Sequence, residues 1–440
     1  MIIYSILKKI YTVLPSKWKG KLTPLKEKII FLLRRDEIDK LYKSSLPTEN
    51  HNGLDYPIKN QDLSWEQFQA HILAFRDEYK GIFIQELTID WDVPLYQRPQ
   101  HISVSMGRAG YLAIYRTTNF NDNVNGFRQV AKNVWLTNSS HVNDIEGAVH
   151  SFYSTANSII PEHINNLKRH SIIAYEYIDH IDPEISGNDD NIKRLLKLQE
   201  KCFSGYADYI IASARKLKEE AELKFIYPKN VISIPNGVDI HHYRNSIHQS
   251  YKLPEHMMNF KKKYKNIVGY FGAIAPWLWY ETIEKLVKSR PDLGFIFIGP
   301  DYYGGVDKLP KADNFLYLGA IDYKVLPAYA KEFDICFIPF KPGNIARTTS
   351  PLKLFEYFAL QKPVVVTSDM LECTAFSEVL HSNTVDGLSE KIDIGLQLSN
   401  KEDFKERMLQ LANENSWDSR VKNMEVLFQK KNLEELHHND

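Results

Sequence analysis

The chain has 440 residues, and its 55 basic and 55 acidic side chains leave no formal net charge at neutral pH. This length allows two or three domains with substantial cores, and the balanced charge argues against general nucleic-acid binding, which needs a basic surface. The three cysteines, Cys202, Cys336 and Cys373, lie far apart without a CxxC motif. We therefore expect no disulfide framework and no metal site, and we predict a reducing, cytoplasmic compartment.

The first 35 residues are basic and amphipathic, with nine Lys or Arg side chains against Glu27 alone. Ile3, Leu7, Ile10 and Leu14 recur at helical spacing. No apolar run is long enough to span a membrane, and Lys8 interrupts what would be the apolar core of a secretory signal. We predict that residues 1–45 form a helical extension that attaches to an anionic inner leaflet. The alternative is a pair of helices packed on the protein body or on a partner chain.

A polar linker at 42–60 and a helix at 65–79 lead into the first half of the chain. Short apolar runs predict strands, and their positions are 81–87, 111–115, 134–136, 171–177 and 208–213. The fourth run leads directly into a polar cluster that contains Asp179, His180 and Asp182. Sites tend to form at the carboxyl ends of parallel strands, so Asp179 and His180 are candidates for chemistry. Turn formation by Asp179 and helix capping by Asp182 are equally plausible interpretations.

The second half alternates strands with helices. Apolar runs at 266–274, 293–300, 314–319 and 334–340 predict strands, and Gly272 marks the turn after the first of them. This alternation predicts a parallel sheet that is covered on both faces and binds ligands at the carboxyl ends of its strands. The loop 341–349 leaves such an end and leads to Ser350.

The segment 350–366 is typical of a helix start that holds phosphate and ribose. Ser350 is a good N-cap, and Pro351 suits the first helical position. Free backbone N–H groups and the positive end of the helix dipole then form an anion site. Lys353 and Glu356 are three residues apart, so they share one helix face. A nucleoside diphosphate placed end-on would have its phosphates at the amides of the helix start and its ribose hydroxyls at Glu356. A sugar nucleotide is the ligand this predicts; the alternative is an ordinary amphipathic helix between two strands.

Several segments of the second half together carry a family resemblance, namely IPNGVD, GYFGAI, FIFIGP, NFLYLGAI, LPAYAKEFDICFIPF and SPLKLFEYFALQKPVVVT. They resemble the nucleotide-sugar half of GT-B glycosyltransferases, in particular the large retaining family that includes sucrose synthase and many bacterial polysaccharide transferases. The resemblance covers roughly residues 81–421. It implies an α/β fold in which two Rossmann-like domains, 46–235 for the acceptor and 236–415 for the donor, flank a deep cleft. Residues 416–440 would cross back as a C-terminal helix and tail.

The resemblance also implies a donor site. In that family the glutamate that matches Glu356 binds the donor ribose, and the amides that open its helix hold the diphosphate. The implied donor set is therefore Glu356 with the residues around the helix start and the first strand, namely Gly272, Arg347, Thr349, Ser350, Leu352 and Lys353.

Two features depart from the family. Thr348 stands where many members have a second glutamate, and the segment 273–279 lacks the usual cation for the diphosphate. Lys285 and Lys288 follow later, but we expect both to be solvated helix residues. Arg347 and Lys353 are the candidates to supply the missing charge.

The loop 91–101 resembles bacterial relatives too, with a Trp followed by Arg-Pro-Gln at the opening of a helix. This loop faces the cleft in GT-B folds, so Gln97, Arg98 and His101 are candidates for contact with acceptor or donor phosphate. A structural cap or an interdomain salt bridge is the alternative for Arg98, and a helix residue without chemistry is the alternative for His101. The resemblance likewise places Asp179 or His180 near the reacting sugar.

The sequence thus predicts a glycosyltransferase on the cytoplasmic face of the inner membrane, held peripherally. It would move a sugar from a nucleoside diphosphate donor to a glycan or lipid-linked acceptor, with retention, without a cofactor and without an essential metal. One alternative is a GT-B-like binding or scaffold subunit that has lost turnover. A sugar-nucleotide epimerase on the same fold is less favoured, because its acidic and histidine pattern is not evident.

Overall fold

The computed structural model describes residues 62–93, 95–156, 159, 161–246 and 251–429. The predicted N-terminal extension and its attachment to a membrane lie outside these residues, and so do the predicted linker at 42–60 and the predicted tail beyond residue 429. Within the described ranges, every helix is too short or too polar to cross a bilayer.

The described residues form two sheets. The first has eight strands in the order β3-β4-β2-β1-β5-β6-β7-β8, and all neighbours are parallel except β3 and β4. Its strands are β1 Ile82–Gln85, β2 Leu112–Arg116, β3 Phe127–Ala131, β4 Val134–Thr137, β5 Val149–Tyr153, β6 Ile172–Tyr177, β7 Tyr209–Ala212 and β8 Val231–Ser233.

The second sheet has six strands in the order β11-β10-β9-β12-β13-β14, all parallel within the described part of the chain. Its strands are β9 Ile267–Phe271, β10 Gly294–Ile298, β11 Phe315–Tyr317, β12 Ile335–Ile338, β13 Val364–Val366 and β14 Leu380–His381.

Helices follow the strands. In the first half they are α1 Trp65–His71, α2 Arg98–Arg108, α3 His163–Leu167, α4 Pro183–Ser186, α5 Asp189–Lys201 and α6 Arg215–Lys224. In the second half they are α7 Ile240–Ser246, α8 Glu255–Lys263, α9 Tyr280–Ser289, α10 Leu326–Ala330, α11 Asn344–Thr348, α12 Leu352–Ala359, α13 Leu371–Thr374, α14 Val385–Leu398, α15 Glu402–Glu414 and α16 Trp417–Met424.

Each predicted strand has a counterpart in the structure, but β3, β5, β8 and β14 were not predicted. The strand β5 is fully buried yet contains His150 and Ser151, and these polar residues interrupt the apolar run that a buried strand normally shows. The predicted helix at 65–79 is shorter: α1 ends at His71, and a 3₁₀ helix, Leu73–Glu78, completes the segment.

Both sheets are doubly wound, and each reverses its strand order once. The reversal lies between β1 and β5 in the first sheet and between β9 and β12 in the second. A crevice opens at the carboxyl ends of the strands where such a reversal occurs, and ligands of open α/β sheets bind there.

The helix α2 connects the two halves. At its carboxyl end, Arg108 pairs with Asp239 (Nη1–Oδ2 3.2 Å) and with Asp418 on α16 (Nη2–Oδ1 2.8 Å). In its first turn, His101 stacks on Trp417, with ring centroids 5.3 Å apart. Trp417 is buried, and it acts as a packing anchor between the halves.

Candidate active site

A cavity of about 300 Å³ lies between the two halves, at the carboxyl ends of both sheets. Aromatic side chains make up much of its wall. The lining residues used below are Gln97 and Asp179 from the first half, Asn236 from the connection, and Gly272, Thr349, Ser350, Leu352, Lys353 and Glu356 from the second half.

The start of α12 differs from the predicted cap. The helix begins at Leu352, so Pro351 is the capping residue and has an extended conformation (φ −77°, ψ 129°). The Ser350 hydroxyl accepts a hydrogen bond from the backbone N–H of Asn236 (3.3 Å), and the Ser350 carbonyl accepts another from the Asn236 side chain (2.5 Å). The prediction that Ser350 is the N-cap is therefore wrong, because this residue is bonded to the connection between the halves.

Lys353 lies in the cavity wall with its charge against aromatic faces. Its Nζ is 5.2 Å from the ring centre of Tyr270 and 5.3 Å from that of Phe340. Burial lowers the pKa of Lys353 to about 8, although the Glu356 carboxylate acts in the opposite direction. Gly272 makes room for this ammonium: a Cβ at Gly272 would lie 2.6 Å from Lys353 Cε and 2.9 Å from its Nζ.

Glu356 lies one turn deeper and is only 6% exposed. Burial raises the pKa of this carboxyl to about 7, while Tyr243 and Lys353 act to lower it. The pKa values of Lys353 and Glu356 therefore both lie close to neutral pH. A ligand that donates hydrogen bonds to Glu356 and brings negative charge to Lys353 would favour the charged form of each.

The loop before α12 contributes less charge than predicted. Arg347 pairs with Asp369 (Nη2–Oδ2 2.8 Å), and the Thr348 hydroxyl donates to the Asn344 carbonyl (2.8 Å). Thr349 lines the cavity, and its hydroxyl donates to the Ile345 carbonyl (2.7 Å). Among the described residues of the cavity wall, Lys353 is the one Lys or Arg.

The first half provides one charged group to the wall. Asp179 lines the cavity, and burial raises the pKa of its carboxyl to about 6, although the Arg98 charge acts to lower it. His180 is the next residue and is partly exposed. The described lining of the cavity includes Asp179 but not His180, Arg98, His101 or Arg347.

Arg98 is completely buried behind the wall. Its Nε donates to Glu176 (2.7 Å), and its Nη1 donates to the Ile234 carbonyl (2.9 Å) and to the Asn236 side chain (3.1 Å). Because Asn236 also holds Ser350, these bonds run from the first half to the start of α12. The observed contacts are those of a structural ion pair between α2 and β6, with two further hydrogen bonds from Arg98 to the connection; contact with substrate by Arg98 stays a prediction.

His101 is also buried, at 3% exposure. It is stacked on Trp417 and meets Tyr323 edge-on, with ring centroids 5.3 Å apart in both contacts. Burial lowers the pKa of His101 to about 3, with Asp239 acting to raise it. A neutral, enclosed imidazole is suited to packing, and its chemical role likewise stays a prediction.

Sequence reasoning missed Asn236 and Tyr243 as parts of the site. Asn236 belongs to the IPNGVD segment, which entered the sequence analysis only as part of the family resemblance. Its side chain accepts from Arg98 and donates to Ser350, and it also lines the cavity. Tyr243 is buried beside Glu356 on α7. The segment around Tyr243 reads IHHYRNS, which is mostly polar, and it carried no signal for such a role.

In the part of the chain that the structure describes, no three His, Cys, Asp or Glu side chains are grouped so that they could hold a metal ion. This finding does not test whether the reaction needs a metal ion, so independence from metal stays a prediction.

No protein-family model matches the chain. Among curated proteins, it is similar to one of Bacillus subtilis (strain 168) with the provisional name teichuronic acid biosynthesis glycosyltransferase TuaH. The two are 26% identical over 237 residues, which is 51% of this chain and 58% of that protein. The match therefore spans little more than half the length of this relative.

Solved structures are similar over most of the chain. An E. coli structure described as trehalose-6-phosphate bound with UDP-2-fluoro glucose has a TM-score of 0.56 at 12% identity, covering 79% of this chain and 99% of that one. Sucrose-phosphate synthase from Thermosynechococcus elongatus has a TM-score of 0.56 at 14% identity, covering 79% and 98%. Anabaena Alr3699/HepE in complex with UDP has a TM-score of 0.51 at 14% identity, covering 79% of this chain and 98% of that one. With its two Rossmann-like sheets and the cavity between them, the chain has the fold of the GT-B glycosyltransferases.

Proposed function

We propose that this protein is a glycosyltransferase that uses a nucleoside diphosphate sugar as donor. The observation that carries the proposal is the pair Lys353 and Glu356 at the opening of α12, in the wall of the cavity between the halves. The UDP and the UDP sugar in two of the similar structures support a ligand of this class. The name of the curated relative supports transfer in polysaccharide synthesis.

The donor would lie along the start of α12. The ribose hydroxyls would donate hydrogen bonds to Glu356, and the diphosphate would face the first amides of the helix and the Lys353 ammonium. When the sugar leaves, negative charge develops on the diphosphate. Fixed amide dipoles and a cation stabilise that charge without a metal ion, so we propose that the reaction is independent of metal and needs no cofactor.

The acceptor would enter from the first half, which corresponds to residues 46–235. Asp179 is the charged group of that wall, and its carboxylate would orient the acceptor hydroxyl or support the positive charge of an oxocarbenium-like sugar. We propose a retaining transfer of a hexose or related sugar to a glycan or lipid-linked acceptor. The basic residues 1–35 would hold the enzyme at the inner leaflet.

A binding or scaffold subunit without turnover is the second candidate. It is favoured by Thr348, which replaces the second glutamate of many relatives, and by the small number of cations around the expected diphosphate. Such a protein would keep the donor site and bind the nucleotide without transferring the sugar.

Incubation with a panel of sugar nucleotides, with and without glycan acceptors and with and without EDTA, tests the proposal. We expect transfer, or at least slow donor hydrolysis, with one donor and no loss in EDTA. Tight nucleotide binding without hydrolysis or transfer would favour the scaffold. Absence of nucleotide binding would contradict both candidates.

A further inference from the structure

Charged side chains are scarce in the wall of the cavity between the halves. Among the described lining residues they are Asp179, Lys353 and Glu356, and most of the other lining side chains are aromatic or aliphatic. Two of the three charged groups are acids. The cation, Lys353, is the group that faces the diphosphate in the proposed function, so the described wall offers no second cation to a negatively charged donor sugar.

Three cations near the wall are already paired with acids. Each lies within two residues of a lining residue along the chain, but none of them belongs to the described lining. Their pairs are Arg98 with Glu176 (2.7 Å), Lys341 with Glu184 (2.5 Å) and Arg347 with Asp369 (2.8 Å). A carboxylate on the sugar would have to compete with one of these acids or share Lys353 with the diphosphate.

Aromatic rings lie beside Lys353. Its Nζ is 5.3 Å from the ring centre of Phe340, and the rings of Phe340 and Trp277 have centroids 6.3 Å apart. Both rings line the cavity, and Trp277 is only half-buried. The Trp277 carbonyl accepts a hydrogen bond from the backbone N–H of Lys341 (2.9 Å), which holds the two segments together. We name Trp277 and Phe340 the aromatic face.

The aromatic face lies where the second half meets the first. Lys341 follows Phe340 and bonds to Glu184 on α4, and the next residue of that helix, Ile185, lines the cavity. A donor whose ribose and diphosphate lie along the start of α12 has to present its sugar to the first half, from which the acceptor would enter. The sugar would therefore meet the aromatic face.

We propose that the transferred sugar is an uncharged hexose that packs one C–H face on Trp277 and Phe340, and that nucleoside diphosphate uronates, whose sugar carries a carboxylate, are poor donors. This inference rests on the proposed function and adds the charge class of the sugar. Contact with the two rings removes the apolar face of a pyranose from water. A carboxylate there would lose hydration without gaining a cation, and the negative ring faces and the Asp179 and Glu356 carboxylates would repel it.

Affinity measurements on the full chain with matched donors test the proposal. The two donors of a pair differ only in a carboxylate at the sixth carbon of the sugar: UDP-glucose with UDP-glucuronate, and GDP-mannose with GDP-mannuronate. UDP and GDP alone are the references. In the pair whose nucleotide binds, the hexose donor should bind at least as tightly as the free nucleotide, and the uronate should bind about tenfold more weakly than the hexose donor. This comparison needs no variant.

Variants of the aromatic face sharpen the test. Trp277→Ala should weaken binding of the hexose donor about fivefold and leave the affinity for the free nucleotide unchanged, because only the sugar contacts Trp277. Trp277→Lys should reduce the preference for the hexose donor over the uronate about tenfold, because it adds the missing cation. Trp65→Ala is the matched control: Trp65 is also half-buried but lies outside the described cavity wall, and this variant should bind every donor like the wild type.

Equal or tighter binding of the uronate by the wild type, beside normal binding of the free nucleotide, would overturn this inference alone. A Trp277→Ala variant that melts normally and keeps the wild-type affinity for the hexose donor would also overturn it, as would an unchanged preference in Trp277→Lys. A protein that binds none of the nucleotides would overturn the proposed function, and this inference with it.

Discussion

Two pairs of a cation and a carboxylate in this molecule differ in whether their charges are available to a ligand. Arg98 and Glu176 are both fully buried and form a 2.7 Å ion pair, whereas Lys353 and Glu356 border a cavity and have pKa values displaced toward neutrality. A buried charge that already has a close partner destabilises the protein when that partner is removed. A charge held near neutrality in a cavity is available to a ligand. The comparison separates the structural from the ligand-binding part of the cleft.

The largest expected effect is on stability. Arg98→Ala would leave Glu176 buried without its partner and remove bonds to Ile234 and Asn236, so the free energy of unfolding should fall by about 3–5 kcal/mol. Denaturant unfolding measures this. Lys353→Ala is the control and should unfold close to the wild type. An Arg98 variant that is as stable as the wild type would remove the distinction between the two arrangements.

The next effect is on donor binding. Glu356→Ala should weaken nucleoside diphosphate binding by about 1.5–3 kcal/mol, the range for hydrogen bonds to a charged group. Calorimetry gives the affinity, and a normal melting temperature shows that the fold is intact. Unchanged affinity in a folded variant would rule out ribose binding by Glu356.

A smaller effect should distinguish Lys353 from Arg347. Lys353→Ala should weaken binding of UDP by about 1–2 kcal/mol after allowance for partial exposure, and it should leave the affinity for uridine nearly unchanged. Arg347→Ala is the matched control, because Arg347 is paired with Asp369 outside the described cavity wall. Equal losses for UDP and uridine would show that Lys353 does not meet the phosphates.

Asp179 should affect turnover more than binding. Asp179→Asn should lower kcat about tenfold, ~1.4 kcal/mol in the activation barrier, with donor affinity unchanged. Steady-state kinetics with the donor and acceptor found in the panel would measure the two effects separately. His180→Ala is the neighbouring control and should retain more activity. Wild-type turnover in Asp179→Asn would assign this loop a structural role.

The smallest effect is a pH dependence of UDP binding. Glu356 has a pKa of about 7, and its ionised form accepts the ribose hydrogen bonds, so affinity should rise about threefold between about pH 6.5 and about pH 7.5. Affinity should fall again above about pH 8, as Lys353 loses its proton. Glu356→Gln should lose the rise and keep the fall. A rise of the same size in that variant would assign it to the phosphates of UDP.

Much of this architecture was accessible from local patterns. Buried parallel strands are continuous apolar runs, and so the strands that flank the cavity, β9 and β12 among them, were predicted in place. The strand β5 was missed because His150 and Ser151 are buried within it. Their polar groups bond to Glu86 and Glu176 on neighbouring segments, and such compensation does not show in a window of sequence.

The sequence by itself determined the alternating strands and helices, the helix that carries Lys353 and Glu356, and the shared face of these two residues, because those features depend on neighbours within one or two turns. Tertiary structure decided which charges remain available. Arg98 meets Glu176 across 78 residues, and Asn236 meets Ser350 across 114. Burial, which sets the pKa values of Glu356, Lys353 and Asp179, likewise depends on elements from both halves of the chain. Desolvation and ion pairing act through space, so only the folded chain specifies them.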